Sequence, residues 1–152
     1  MNINEQSEIK IDGSCKKIGI VFSRFNDSIG IHLYNSIIKT LKANGVKNEN
    51  IITIKVPGSL ETPIAAKKII DAHSVDAVIS IGVVIKGGTY HFELVCNESH
   101  RGLMDVSLAT GIPIIFGIIT AYSAKDAEER AREDKMNKGK EYALAALEMA
   151  NI

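Results

Sequence analysis

The stretch Val-Ile-Ser-Ile-Gly-Val-Val-Ile-Lys-Gly-Gly-Thr-Tyr-His, residues 78–91, indicates the class of fold. Residues 77–85 are mostly β-branched, almost uncharged and too short to span a membrane, which is typical of a parallel strand covered on both faces. Gly87 and Gly88 then permit a tight turn or the close approach of a ligand, and Thr89 can cap a helix whose first turn holds a histidine. Because a helix N-terminus offers unpaired N–H groups, the sequence predicts a corner that can hold a phosphate.

Outside this stretch, the composition indicates a single domain over residues 1–152, with residues 1–14 as an N-terminal arm. The 18 basic and 18 acidic side chains cancel without a basic patch, so we expect neither nucleic acid nor membrane as a partner. Residues 1–10 are polar and lack the apolar centre of a signal peptide, which favours a cytoplasmic protein. Cys15 and Cys96 stand apart without a CxxC pair, so we expect reduced thiols and no metal site.

Four apolar runs alternate with helical patterns along the rest of the chain. The predicted strands are residues 17–23, 51–56, 77–85 and 113–119. The predicted helices run from Asp27 or Ser28 to Gly45, from Ser59 or Thr62 towards Ala72, from Thr89 to near Gly111, and from Ala124 to Ala150 after a capping box of Ser123 and Asp126. Strands that alternate with helices predict a three-layer α/β/α fold, with a doubly wound four-stranded parallel sheet of flavodoxin-like topology.

This scheme makes further predictions about individual helices and about assembly. The first helix is predicted to bury a stripe of Ile31, Tyr34, Ile38 and Leu41. Gly102 is predicted to weaken the third helix, and Asn137 and Gly139 are the only breakers in the last helical segment. A four-stranded sheet leaves two edges open, so we expect an oligomer in which residues 8–11 add a strand to a neighbour.

Polar and aromatic side chains gather after the first three strands, where ligands bind in such sheets. Phe25 is displayed on a polar turn, where it either stacks on a flat heterocycle or is buried at a subunit contact. His91, at a helix start, is either a neutral proton carrier near pH 7 or a surface histidine, and spacing alone favours the second. Residues 87–89 match neither a P-loop nor a dinucleotide fingerprint, which leaves a plain turn and phosphate binding both open.

From about residue 9 to its end, the chain resembles lumazine synthase through motifs that stand in the family's order and at its spacings. The motifs are Arg24-Phe25-Asn26, Val56-Pro57-Gly58-Ser59-x-Glu61, Ile81-Gly82-x-x-Ile85-Lys86-Gly87-Gly88-Thr89-x-His91, Phe116-Gly117-x-x-Thr120, Glu129-Arg130-Ala131, Asn137-Lys138-Gly139 and Glu148-Met149-Ala150-Asn151. Because so many motifs match in order, we prefer a functional role for Phe25, residues 87–89 and His91 to the purely structural alternatives given above.

The resemblance implies the penultimate step of riboflavin biosynthesis. In it, 5-amino-6-(D-ribitylamino)uracil condenses with 3,4-dihydroxy-2-butanone 4-phosphate to 6,7-dimethyl-8-ribityllumazine, and phosphate and water leave. Imine formation, phosphate elimination and ring closure move protons without net redox change, so we expect a transferase without metal, flavin or nicotinamide cofactor.

Carried over by position, the resemblance also implies roles for individual residues. The residues around the pyrimidine and its ribityl chain would be Phe25, Ser59, Leu60, Glu61, Val83, Val84, Ile85 and Phe116. Those holding the phosphate would be Gly88, Thr89 and Arg130. His91 would carry protons with Lys138, and Phe116 and Lys138 would come from a neighbouring subunit.

Two departures from the family pattern concern the pocket wall and the assembly. Leu60 stands where many members carry an aromatic residue, and residues 132–136, Arg-Glu-Asp-Lys-Met, replace a Gly-x-Lys-x-Gly linker between the last helices. Members form pentamers, decamers or sixty-subunit shells, and the glycine-free linker, which predicts less of a bend, favours pentamers. Riboflavin synthase is a further partner that the resemblance allows.

Two other function classes share this architecture. A non-catalytic oligomer that binds or stores flavin is the first, and the presence of His91, Arg130 and Lys138 speaks against it. A flavodoxin-like phosphoacceptor domain is the second. The third strand ends in Val84-Ile85 rather than in an aspartate, so phosphoacceptor chemistry lacks its nucleophile.

Overall fold

A computed structural model of the chain describes residues 11–152. The helices and strands are β1 (Ile18–Ser23), α1 (Asp27–Ala43), β2 (Ile51–Val56), α2 (Thr62–His73), β3 (Ala77–Ile85), α3 (His91–Thr110), β4 (Ile114–Ala121), α4 (Ala124–Ala131) and α5 (Lys138–Ala150). Short 3-10 helices at Asn48–Asn50 and Ser59–Glu61 precede β2 and α2. Over the described residues, no helix combines the length and the apolar character that crossing a bilayer requires.

The four strands form one parallel sheet in the order β2-β1-β3-β4. The chain moves outward from β1 to β2, returns across the sheet to β3 and continues to β4, so the direction of winding reverses between β1 and β3. This order confirms the predicted doubly wound sheet of flavodoxin-like topology. The crevice at such a reversal, beyond the carboxyl ends of the strands, is where ligands bind in open α/β sheets.

Both faces of the sheet are buried, which explains why the strands are almost continuously apolar. On β1, Ile18, Ile20 and Phe22 belong to the core beneath α1 and α5, whereas Val21 belongs to the core beneath α2 and α3. The ring of Phe22 stacks on Tyr34 of α1, with centroids 5.5 Å apart. Side chains of alternate direction therefore serve two separate cores.

Helix α1 is rotated relative to the prediction, and of the four residues in the predicted stripe only Leu41 is fully buried. Ile31 is exposed, and Tyr34 and Ile38 are only half-buried at the margin of the contact. The large buried side chains of α1 are Ile29, Leu33, Ile37 and Leu41. Both stripes have helical spacing and apolar members, so periodicity could not choose between them. The packing of Phe22 beside Tyr34 and Gly30 decides the rotation of the helix.

Gly102, the residue predicted to weaken the third helix, lies within α3 and does not interrupt it. A Cβ atom at this position would lie 2.7 Å from Cγ of Pro63, at the start of α2. The missing side chain therefore lets α2 and α3 pack closely. This contact offsets the loss of helix propensity that glycine causes.

The segment predicted to be helical from 124 to 150 is divided into α4 and α5 by a turn. Asp126 donates its backbone N–H to Oγ of Ser123 over 3.1 Å, which confirms Ser123 as the N-cap of α4. The carboxylate of Asp126 accepts from the Ser123 hydroxyl over 2.8 Å, a side-chain contact that differs from the reciprocal backbone bond of a full capping box. After α4, Asn137 takes a left-handed conformation with φ 49°, and its N–H donates to the carbonyl of Arg132 over 3.0 Å. The side chain of Asn137 also accepts a hydrogen bond from Ser36 on α1. The chain thus turns at Asn137. In the family pattern, the glycines of this linker stand a few residues before that position.

The predicted N-terminal arm lies mostly outside the described residues, and so does most of the strand expected from residues 8–11. Its last part runs beside the end of α1. There Ile11 and Gly13 donate their backbone N–H groups to the side chain and the carbonyl of Asn44, over 3.2 and 2.8 Å. This part of the arm is therefore attached to the C-terminal end of α1.

Candidate active site

A cleft of about 420 Å³ lies beyond the carboxyl ends of β1, β2 and β3. Its lining residues are Phe25, Gly58, Ser59, Leu60, Glu61, Val83, Val84, Ile85, Gly87, Thr89, His91, Phe92 and Val95. They come from the loops that follow three neighbouring strands and from the first turns of α3. The cleft therefore occupies the reversal point of the sheet.

The turn between β1 and α1 presents Phe25, whose side chain is 71 % exposed. Backbone N–H groups of Arg24 and Phe25 donate to carbonyls at the end of β2, over 2.8 and 3.2 Å. On the other side, Asn26 adopts φ 59° and donates from Nδ2 to the carbonyl of Val83 over 3.0 Å. The turn is thus fixed to both neighbouring strands, and its aromatic ring stands uncovered at the cleft.

The loop after β2 supplies one polar wall and one apolar wall. Ser59 is buried, whereas Leu60 and Glu61 are exposed. The hydroxyl of Thr62 donates to the carbonyl of Ser59 over 2.6 Å, so it closes the 3-10 turn and does not cap α2. A Cβ atom on Gly82 of β3 would lie 2.9 Å from Oγ of Ser59. The glycine therefore allows the serine hydroxyl to lie directly against the strand.

Strand β3 extends further than its neighbour on one side. Its pairing with β1 ends at Phe22 and Ile81, whereas its pairing with β4 continues to Ile85 and Ala121. Successive residues of a strand point their backbone groups to opposite sides, and the even-numbered residues of β3 face β4. Val83 and Ile85 consequently present backbone N–H and carbonyl groups along an edge that faces the cleft. The side chain of Asn26 occupies one of these carbonyls, that of Val83.

The loop after β3 is open. Gly87 and Gly88 are exposed, and a Cβ atom on either would meet nothing within 4 Å. Among the described residues, the glycines with positive φ are Gly45 and Gly111, so left-handed geometry does not require glycine at 87 or 88. Neither packing within the chain nor backbone conformation explains these two glycines. The two glycines leave the backbone of this loop accessible from the solvent.

His91 is the first residue of α3 and lies exposed in the wall of the cleft. Its backbone N–H donates to Oγ1 of Thr89 over 3.4 Å, which is a long contact. The N-cap of α3 is Tyr90 and no side chain caps the helix, so the predicted cap at Thr89 is wrong. The N–H groups of this first turn have no partners within the helix. They are available to an anion at the same place as the imidazole.

Four residues in the predicted set do not line this cleft. Gly88 is adjacent to it, between two lining residues. Arg130 on α4 donates to the carbonyl of Asp126 over 2.9 Å, and Lys138 at the start of α5 forms an ion pair with Glu141 over 2.7 Å. Phe116 on β4 packs against the ring of His100, with centroids 5.7 Å apart.

Two lining residues were not among the predicted site residues. Phe92 and Val95 follow His91 on α3, and both line the cleft. Because side chains four residues apart share a helix face, the pair His91 and Val95 carried the signal that Val95 reaches the cleft. Asn26 fixes the Phe25 turn, but the sequence indicated it only as the last residue of the motif Arg24-Phe25-Asn26 and predicted no role for it.

The two cysteines, both within the described range, are free. Cys15 is exposed and Cys96 is half-buried on α3, where burial raises the pKa of its thiol. A raised pKa keeps the thiol protonated and unreactive. Between residues 11 and 152, no three His, Cys, Asp or Glu side chains converge as ligands of a metal ion would.

A family model described as 6,7-dimethyl-8-ribityllumazine synthase matches residues 15–152. This span contains all nine helices and strands named above and every residue that lines the cleft. The match confirms the resemblance seen in the motifs, and it places the chain among transferases of riboflavin biosynthesis. The chain belongs to the 6,7-dimethyl-8-ribityllumazine synthase family.

Proposed function

We propose that the protein condenses 5-amino-6-(D-ribitylamino)uracil with 3,4-dihydroxy-2-butanone 4-phosphate, releasing phosphate and water, and so forms 6,7-dimethyl-8-ribityllumazine. One observation carries the proposal. A single cleft brings together an uncovered aromatic ring, an unpaired strand edge, an open glycine loop at a helix start and a histidine. These are the groups that a flat heterocycle, a phosphate and a proton transfer require.

The pyrimidine fits the end of the cleft that Phe25 bounds. The exposed ring offers a flat apolar face on which a heterocycle can stack. Backbone groups of Val83 and Ile85 face the same space and can pair with the polar edge of the base, as an added strand would. The hydroxyl of Ser59 and the carboxylate of Glu61, which line the same cleft, can bind the ribityl chain, and Leu60 supplies an apolar wall.

The phosphate fits the loop of Gly87, Gly88 and Thr89. The glycines leave room for phosphate oxygens to approach the backbone, and the first-turn N–H groups of α3 favour a negative charge. Arg130 completes the phosphate site in this proposal, because a guanidinium binds phosphate through two parallel hydrogen bonds. Its present hydrogen bond, to a carbonyl within its own helix, is exposed and easily exchanged.

His91 lies between these two ends and can carry protons during the reaction. Forming the imine, eliminating phosphate and closing the ring each require a proton to leave one atom and reach another. Most of the acceleration comes from holding two substrates in contact, which contributes up to ~7–11 kcal/mol in favourable cases. The histidine therefore adds to a rate that positioning already supplies.

We propose that the working form is a homo-oligomer whose active sites are shared between subunits. Phe116 and Lys138 lie outside the cleft of their own chain, and both are accessible to a neighbour. Large apolar side chains also remain exposed, as expected for a surface that packs against another subunit. Those on α2 and α3 are Ile64, Leu94, Met104 and Leu108.

The pentamer is the proposed assembly, and decamers and sixty-subunit shells are the alternatives. Light scattering of the purified protein measures the particle mass directly. A particle of shell size would contradict the pentamer. Copurification with riboflavin synthase would add that enzyme as a partner.

The deciding experiment mixes the two substrates with purified protein and follows lumazine fluorescence together with released phosphate. Both signals are expected to rise at the same rate, and omission of either substrate should abolish both. The open cleft with its uncovered aromatic ring also suits a flavin, so the protein is titrated with riboflavin in parallel. A tight flavin complex without product would establish the storage function and reject the synthase.

A further inference from the structure

A lysine and two aromatic rings form a cluster beside the open loop. Nζ of Lys86 lies 6.0 Å from the ring centroid of Phe92 and 5.6 Å from that of Tyr122. The two ring centroids are 6.1 Å apart. The same ammonium lies 3.2 Å from Oε1 of Glu93. We call these four residues the Lys86 cluster.

The Lys86 cluster joins three parts of the fold at the ends of two strands. The backbone N–H of Lys86 donates to the carbonyl of Ala121 over 2.9 Å and closes the ladder between β3 and β4. Its side chain reaches Phe92 and Glu93 in the first turn of α3 and Tyr122 in the turn after β4. The ion pair between Lys86 and Glu93 thus links the two ends of the segment 87–92. We call this link the staple.

The loop that the staple encloses makes few contacts of its own. Residues 87–90 are all exposed, and the glycines have no neighbour within 4 Å of a Cβ position. The contact between Thr89 and His91 is long, at 3.4 Å. A loop without internal contacts takes its geometry from its two ends, and here the Lys86 cluster ties those ends together.

We propose that Lys86 is a positioning residue, whose interactions with Glu93, Phe92 and Tyr122 hold residues 87–90 in the shape that receives the substrate phosphate. This inference rests on the proposed function. Lys86 acts through the loop and is not a residue that lines the cleft. Holding the loop in its bound shape reduces the ordering that the ligand would otherwise have to impose.

The charge of Glu93 agrees with this arrangement. A hydrogen bond from its own backbone N–H, followed by the one from Lys86, lowers the pKa of the Glu93 carboxyl. The carboxylate is therefore ionised at neutral pH and can hold the ammonium. Because the side chains of Lys86 and Glu93 are 46 % and 34 % exposed, the pair is partly screened and the expected effect is moderate.

The test uses three variants of the full-length protein. Lys86→Met keeps the length of the side chain and removes its charge, whereas Lys86→Arg keeps both the ion pair and the contact with the rings. The matched control is Lys67→Met, because Lys67 also pairs with a carboxylate and its side chain is 43 % exposed, but on α2. Two quantities are measured for each, namely KM for both substrates and hydrogen exchange of the amides at 94–96, the first hydrogen-bonded amides of α3.

Lys86→Met is expected to raise KM for the butanone phosphate by about three- to tenfold, because the variant loses the ion pair and the cation–π contacts with the two rings. KM for the pyrimidine should change less than about twofold, because Lys86 acts on the phosphate loop. Lys86→Arg should restore the wild-type values, and the amides at 94–96 should exchange faster in Lys86→Met than in Lys67→Met. An equal rise of both KM values, or a rise without faster exchange, would overturn the positioning role.

Failure of the proposed function gives a different result. If the wild-type protein forms no lumazine, the synthase assignment fails, but the amide exchange of the three variants still decides the inference. Faster exchange confined to Lys86→Met supports the staple. Equal exchange in Lys86→Met and Lys67→Met rejects it.

Discussion

Replacing Asn26 tests how the turn that carries Phe25 is held. Asn26→Ala removes a hydrogen bond to the carbonyl of Val83, worth about 1 kcal/mol, and puts alanine at φ 59°, which costs about 1 kcal/mol more. The expected loss of about 2 kcal/mol should lower Tm by about 4–8 °C for a chain of this size. Asn26→Gly loses the same hydrogen bond without the strain, so it should be less destabilised than Asn26→Ala.

Thermal melts at one fixed protomer concentration measure the stability, since an oligomer's Tm depends on concentration. The control is Asn35→Ala, because Asn35 is an exposed asparagine on α1 and its loss should not lower Tm. The displaced Phe25 ring should also raise KM for the pyrimidine several-fold in Asn26→Ala, while KM for the phosphate substrate stays close to the wild-type value. The reasoning is refuted if both variants melt with the wild type, or if the pyrimidine KM is unchanged.

Three further outcomes follow from the site and the core. His91→Ala should lower kcat by less than the ~10²–10⁴ of a general acid or base, because positioning remains, and a loss confined to pyrimidine affinity would assign the histidine to binding. Arg130→Ala should chiefly raise KM for the butanone phosphate, and an unchanged value would remove Arg130 from the phosphate site. Burial raises the pKa of Tyr142 to about 12. The unfolded chain therefore loses this proton first, and the free energy of unfolding should fall by about 2–3 kcal/mol between pH 10 and pH 12. Urea titrations at each pH measure the free energy of unfolding, and Tyr142→Phe should lack this part of its fall between pH 10 and pH 12. An identical fall in both proteins would show that Tyr142 is not its cause.

The sheet could be predicted because its strands are buried on both faces. Residues 51–56 and 77–85 form strands with the predicted bounds, and β1 and β4 differ from prediction by one or two residues at their ends. The position of His91 could also be predicted, since two glycines and a threonine mark the start of a helix. These are local signals that a single segment carries.

Features that depend on two segments could not be predicted from one of them. The rotation of α1 depends on the ring of Phe22, which belongs to another element. The turn between α4 and α5 lies among good helix formers, and its partners Ser36 and Lys39 are on α1. Phe116, Arg130 and Lys138 were assigned by resemblance, because no pattern within their own segments places them at a site.

The uneven pairing of β3 affects how the binding site can change. Val83 and Ile85 face the cleft with main-chain groups, and every amino acid except proline supplies these groups in the same form. Exchanges among β-branched residues at Val83, Val84 and Ile85 leave those groups in place. Phe25 and Leu60 meet the ligand through their side chains, so a library designed to accept an altered base should vary these two positions and leave the strand alone.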